Sequence, residues 1–292
     1  MGARRLLTIV GIAVAALALW VVFTTLWLWR NQERVVFQPP AVGAVDPPGT
    51  RRLALGGAGS ATFAYVVAPT SAPPRPTVVI AFHGNADLAA WLVPWAQELA
   101  HRANVVVVVP EYRGYGGTVG APTYASAAED ARHTLDFVST LAPGRIVLYG
   151  HSLGTAIAAE LAEEMKQAPP ASLVLQSPFT SARDMAARLL VPVVSVVWNR
   201  IARVHYDTRK IVQQLDVPVW IAHGTLDITV PTRMGRELGD AARRKGRLLL
   251  VQGAGHNDVP EVGGERYWQW LVEAVSDSAA VAVEQKGNGR LH

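Results

Sequence analysis

The chain has 292 residues, 50% of them hydrophobic and 17% charged, which is enough apolar material for a well-buried core and excludes a disordered chain. The formal charge is +4, yet the arginines are scattered and no Lys/Arg run is interleaved with aromatics, so nucleic-acid binding is not expected. With no cysteine, disulfides, thiolate metal sites and a thiol nucleophile are excluded.

The first element is an apolar run over residues 6–29, LLTIVGIAVAALALWVVFTTLWLW, 24 positions without a charge. That exceeds the roughly 20 residues that cross a bilayer as a helix. It is also longer than the apolar region of a signal peptide, and it ends in RNQER with no small-residue cleavage site, so an uncleaved membrane anchor over 1–30 is expected. Trp20, Trp27 and Trp29 crowd its C-terminal half as an aromatic belt would. Arg4 and Arg5 precede the span and Arg30 and Arg34 follow it; the amino terminus and Glu33 break the tie towards an N-terminus inside and a globular part outside the cytoplasm. Residues 31–50, with FQPPAVGAVDPPGT, read as an extended linker because they are rich in Pro and Gly and carry no periodicity.

From residue 51 the pattern changes. Two short strand-like runs, 51–55 and 62–67, precede six continuous β-branched or leucine runs at 77–82, 104–109, 145–150, 172–177, 217–224 and 247–253. Continuous rather than alternating apolar runs suit strands buried on both faces. Helical spacing fills the gaps at 88–102, 126–140, 155–166, 232–245 and 267–276. Such alternation predicts an α/β domain over 51–277, a mostly parallel sheet with helices on both faces. Residues 278–292 are expected to be a flexible tail.

Chemistry in such a sheet belongs at the carboxyl ends of the strands. Gly150-His151-Ser152-Leu153-Gly154 stands at one of them and matches G-x-S-x-G, a sharp strand-to-helix turn that lifts a serine hydroxyl clear of the sheet. A serine needs a base to take its proton and an acid to orient that base, in the chain order Ser, Asp/Glu, His for this kind of turn. Of eight histidines, His256 follows the last strand in the glycine-framed loop GAGHND and is the candidate base. Asp227, beyond the fifth buried strand, is the candidate acid; Asp258 is its local rival, but a neighbour two residues along the same loop seldom reaches the far side of the ring. The oxyanion calls for preorganised backbone donors, expected from the amides of Leu153 and of Asn85 in the HGN loop after the first buried strand. No H-E-x-x-H, P-loop or G-x-G-x-x-G occurs, so neither a metal nor another cofactor is expected.

FHGNAD, PEYRGYGGTVGAPTYASAAEDA, YGHSLGTAIAAELA, SPFTSARDMA, AHGTLDITVP and GAGHND together resemble the α/β-hydrolase superfamily, in particular its membrane-tethered Bem46/ABHD13-like serine hydrolases. The likeness spans about residues 35–276. It implies the α/β-hydrolase fold, a Ser152–Asp227–His256 triad and an oxyanion hole from Asn85 and Leu153. HGNAD departs from the HGGG loop of many lipases, so lipase specificity does not carry over. Residues 178–216 read as a small cap, in which Met185, Leu189, Leu190, Val193, Val194, Val197 and Trp198 either line an acyl pocket, face the bilayer or pack on the sheet. The function expected is cleavage of an ester or thioester of an acyl or lipid-like substrate through an acyl-serine. A peptidase of the same fold and a non-catalytic membrane-anchored binding protein are the alternatives.

Overall fold

A computed structural model describes residues 2–43, 45–48, 50–56 and 62–276, the side chain of Val193 excepted; the expected tail lies outside the described residues. Eight strands form one sheet in the order β1-β2-β4-β3-β5-β6-β7-β8. They are β1 (Arg52–Leu55), β2 (Thr62–Val67), β3 (Thr77–Phe82), β4 (Val106–Pro110), β5 (Arg145–His151), β6 (Ser172–Gln176), β7 (Val219–Gly224) and β8 (Lys245–Val251). β1 and β2 pair antiparallel at one edge, and every pair from β4 to β8 is parallel. The continuous valine and leucine runs are the parallel strands; those from β3 to β7 are largely covered from both sides, whereas β8, at the edge of the sheet, leaves Leu248 exposed and Leu250 half-buried.

Two apolar layers do the covering. One joins the sheet to α3 (Tyr124–Thr140), α4 (Leu153–Glu164), α7 (Thr208–Gln214) and α8 (Thr232–Ala241). The other joins it to α2 (Ala89–Ala103) and α9 (Val259–Val275). α9 starts eight residues before the periodicity predicts, because Gly264, at φ 49°, lets two helical segments join across a kink.

Two expectations are corrected. The residues taken for a linker are helical as far as Val36, since α1 (Gly2–Val36) runs unbroken for 35 residues. At ~1.5 Å per residue that is about 52 Å, against roughly 30 Å of bilayer hydrocarbon, so the last turns extend beyond any span. They continue as helix because they have something to pack on: Leu28 joins Ala186, Val194 and Trp198 in a small apolar cluster, and Val35 packs against it. Phe37 enters the main core, so the chain is fixed to the domain where an extended tether was expected.

The cap is also smaller than 178–216. It consists of α5 (Ala182–Leu189) and α6 (Pro192–Ile201), whereas α7 belongs to the layer on the sheet. Ser181 starts α5 by accepting the Asp184 amide, and Pro192 starts α6 at a position where its missing N–H costs nothing.

Candidate active site

The site stands on the carboxyl edge of the parallel strands, where β3, β4, β5, β7 and β8 release their chains into loops. At the end of β5 the chain turns so sharply into α4 that Ser152 takes φ 51° and ψ −114°, a conformation costly for a residue with a side chain. The flanking glycines make the turn possible. A Cβ at Gly150 would lie 2.2 Å from the Gly154 carbonyl oxygen, and one at Gly154 would lie 2.2 Å from that of Phe82. The turn is tied to the next strand by the Ser152 amide, which donates to the Gln176 carbonyl at 3.0 Å.

Ser152 Oγ lies 2.8 Å from His256 Nε2, and His256 Nδ1 lies 2.7 Å from Asp227 Oδ2. With Nδ1–H donating to the carboxylate, Nε2 is left to accept the serine proton. Asp227 accepts further bonds at Oδ1 from the amides of Thr229 and Val230, and His223 Nε2 approaches Oδ2 to 3.2 Å. Burial resists a charge there, but the hydrogen bonds from His223 and His256 outweigh it and hold the carboxyl well below the usual range. Asp258, the rival acid, turns the other way and accepts the Gly255 amide within its own loop. That loop is pinned from below: the His256 carbonyl accepts from Ser177 Oγ at 3.0 Å and lies 3.3 Å from His151 Nε2. Burial, reinforced by His256, lowers the His151 pKa to about 4, so no second positive charge competes beside the base.

The amides of Asn85 and Leu153 donate no hydrogen bond among the described residues, and both residues line the cavity that contains Ser152. Leu153 opens α4, so its N–H has no partner within the helix and lies at the positive end of the dipole. Two donors flanking a nucleophile in this way can receive a developing oxyanion.

Several supporting residues were not singled out in the sequence. His83, behind the Asn85 loop, is fully buried with its Nε2 2.9 Å from Glu111 Oε1. Burial opposes a charge on His83, but the Glu111 carboxylate prevails and raises the imidazole pKa. Glu111 Oε2 also accepts the Ala89 amide at 3.1 Å, and Tyr112 Oη donates to the His83 carbonyl at 2.8 Å, so the loop from 83 to 89 is held at both ends. Gly116, at φ +57°, is needed here because a Cβ would lie 2.4 Å from Glu111 Oε2. A glutamate straight after an all-valine strand, in VVVVVPEYRG, was the available signal. His223, at the end of β7, is another supporting residue: its ring braces Asp227 and leaves room for no side chain at Gly235.

Above Ser152 opens an apolar cavity of about 340 Å³. Met185, Leu189, Leu190 and Trp198 of the cap line it, so four of the seven cap residues proposed for a pocket lie there. Val194 is instead buried in the cluster with Leu28, and Val197 is half-buried. The opposite wall was unforeseen: Leu28, Val35 and Val36 of α1 supply it.

The sequence model of the family described as "Serine aminopeptidase, S33" matches residues 72–209. An uncharacterised protein of Mycobacterium tuberculosis is 32% identical over 273 residues, covering 90% of this chain and 92% of that protein. Lysophosphatidylserine lipase ABHD12 of Macaca fascicularis is 28% identical over 185 residues, 55% of this chain and 44% of the lipase, so the match spans less than half of that relative. Among solved structures, Est1E from Butyrivibrio proteoclasticus shares the fold with a TM-score of 0.60 at 16% identity, covering 80% of this chain and 99% of that one.

Proposed function

The chain belongs to the α/β-hydrolase superfamily, and from that premise we propose that it is a membrane-anchored serine hydrolase that cleaves the ester or thioester of an acyl, lipid-like substrate. The observation that carries this reading is the hydrogen-bonded chain Ser152–His256–Asp227 opening directly under an apolar cavity. Ser152 Oγ attacks the carbonyl carbon while His256 Nε2 takes its proton, and Asp227 stabilises the imidazolium and fixes its tautomer. The amides of Asn85 and Leu153 bind the oxyanion of the tetrahedral intermediate. Collapse expels the alcohol or thiol, which leaves with the proton from His256; water, activated by the same base, then releases the acid from the acyl-serine.

The description of the matching family keeps a second reading in view, an aminopeptidase. Such an enzyme must recognise a free amino terminus, for which a carboxylate is the natural partner. Among the described residues lining the cavity there is none, and the walls are aliphatic and aromatic, which favours an acyl chain.

α1 is long and apolar enough to cross a bilayer, and the window that meets this test is wholly exposed on the protein. Leu189, Val191 and Val196 of the cap are exposed beside it, which suits a domain resting near the lipid surface. The globular part is proposed to lie outside the cytoplasm; a protease that finds the C-terminus only in spheroplasts opened to the cytoplasm would contradict that side.

A panel of p-nitrophenyl esters from acetate to palmitate, run on the full-length protein and on Ser152→Ala, tests the activity. Turnover that favours a medium or long chain and vanishes in the variant is expected. Absence of turnover at every chain length, with hydrolysis of aminoacyl amides in its place, would favour the peptidase.

A further inference from the structure

The carboxamide of Asn85, the residue whose amide faces the oxyanion, makes three hydrogen bonds, and two of them go to the end of α1 and the chain just beyond it. Nδ2 donates to the Val36 carbonyl at 2.7 Å, and Oδ1 accepts the Gln38 amide at 2.8 Å and the Tyr115 hydroxyl at 2.8 Å. Tyr115 Oη in turn accepts from the Gln38 amide at 3.0 Å. Val36 is the last residue of α1, so its carbonyl has no partner within the helix and is free to accept from outside. A helix end, an unrelated glycine-rich loop and the oxyanion turn are therefore closed into one polar knot.

The rest of the helix end is held as firmly. Arg203, just after the cap, donates its amide to Gln32 Oε1 and its guanidinium to the Trp29 carbonyl. Glu33 accepts the Tyr124 amide at 3.0 Å, a carboxylate at the N-terminus of α3 where the helix dipole favours it. Leu28, Val35 and Val36 meanwhile form a wall of the cavity above Ser152.

We propose that the domain-facing end of the anchor is a working part of the active site, with the Asn85 carboxamide and Tyr115 hydroxyl as positioning groups for the oxyanion amide and Leu28, Val35 and Val36 as determinants of acyl-chain selection. This rests on the serine-hydrolase reading above. The substrate it implies is a single-chain acyl ester whose tail lies along α1, because the cavity is at the small end of ligand clefts and one of its walls is the anchor itself. The helix then does more than tether. It fixes the position of a donor on which transition-state stabilisation depends, and it measures the chain.

The test uses full-length protein in nanodiscs, with thermal melts to establish folding. Asn85→Ala should lower kcat by about 10- to 100-fold with KM for a short ester changed far less, since a displaced oxyanion donor acts on the transition state. Tyr115→Phe, which keeps the ring and loses two bonds of the knot while leaving the Asn85 bonds to Val36 and Gln38, should fall between this variant and the parent. Val35→Trp should shift the preferred p-nitrophenyl ester to shorter chains, whereas Leu17→Trp, on the lipid-facing part of α1, should leave the chain profile as in the parent. If Asn85→Ala and Tyr115→Phe melt like the parent and keep kcat within about twofold, and Val35→Trp leaves the profile unchanged, the proposal is overturned while the hydrolase reading stands. A parent that takes no fluorophosphonate at Ser152 overturns both.

Discussion

The two halves of the candidate site are held by different means. Ser152, Asp227 and His256 stand on the turns and loops that follow β5, β7 and β8 of one parallel array, and the sheet register sets where each begins. The cavity above them is assembled from α1, the cap and the Asn85 loop, which share no sheet bonds and meet through side chains. The difference separates chemistry from selection. A sheet edge supports proton transfers that tolerate little displacement, whereas the helical walls can be altered without moving the triad, except where the end of α1 holds the Asn85 loop and its oxyanion donor.

Substitutions that break the sheet-borne half should have the largest effects. Ser152→Ala is expected to cost about 10⁵- to 10⁶-fold in kcat, measured with the best ester of the panel, while leaving the melting temperature close to the parent's, because alanine keeps the Cβ and the same backbone conformation. Asp227→Asn, which keeps the shape and disrupts the tautomer of His256, should cost about 10⁴-fold. A loss below tenfold would show that Asp227 does not orient the base.

Glu111 lies where the halves meet, since it secures the loop that carries Asn85. Glu111→Ala leaves His83 buried without its partner and should destabilise the domain by about 3–5 kcal/mol in denaturant unfolding. A domain as stable as the parent would mean that this ion pair does not hold the loop.

The smallest effect sharpens the assembled side. Glu160 accepts the Tyr124 hydroxyl at 2.7 Å beneath the α1 contact, and burial pushes its pKa from 4.5 up to about 7. Between those values the folded state holds a proton that the unfolded chain has lost, so this group's contribution to stability falls as pH rises from about 4.5 to 7. Glu160→Gln keeps the acceptor and removes the charge, and should raise the melting temperature more at pH 8 than at pH 5. An equal shift at both pH values would show that the carboxyl is not buried in its charged state.

The sequence carried the sheet-borne half well, for physical reasons. Buried parallel strands cannot alternate, so valine runs such as NVVVVV mark them directly, and a turn as tight as Ser152's admits only glycine on either side. Chain order then separated His256 from the other histidines, because a single loop follows the last strand. The assembled half was not legible. RNQERVV reads as polar chain, and only the presence of Trp198 and Arg203 alongside makes Leu28, Gln32 and Val35 one face of a continuing helix. Asn85 was expected for its amide alone; the partners of its carboxamide, Val36 and Gln38, lie 49 and 47 positions away, beyond the reach of local pattern. The cap boundaries failed for a related reason, since α7 lies in the same β6–β7 connection as α5 and α6 and is set apart from them by what it covers.

The most direct measurement is fluorophosphonate labelling of the full-length protein with the adduct located by peptide mass spectrometry. The account predicts one adduct, on Ser152 within YGHSLGTA, absent in Ser152→Ala and strongly slowed in His256→Ala. A folded parent that takes no adduct, or an adduct that persists in Ser152→Ala, would contradict it.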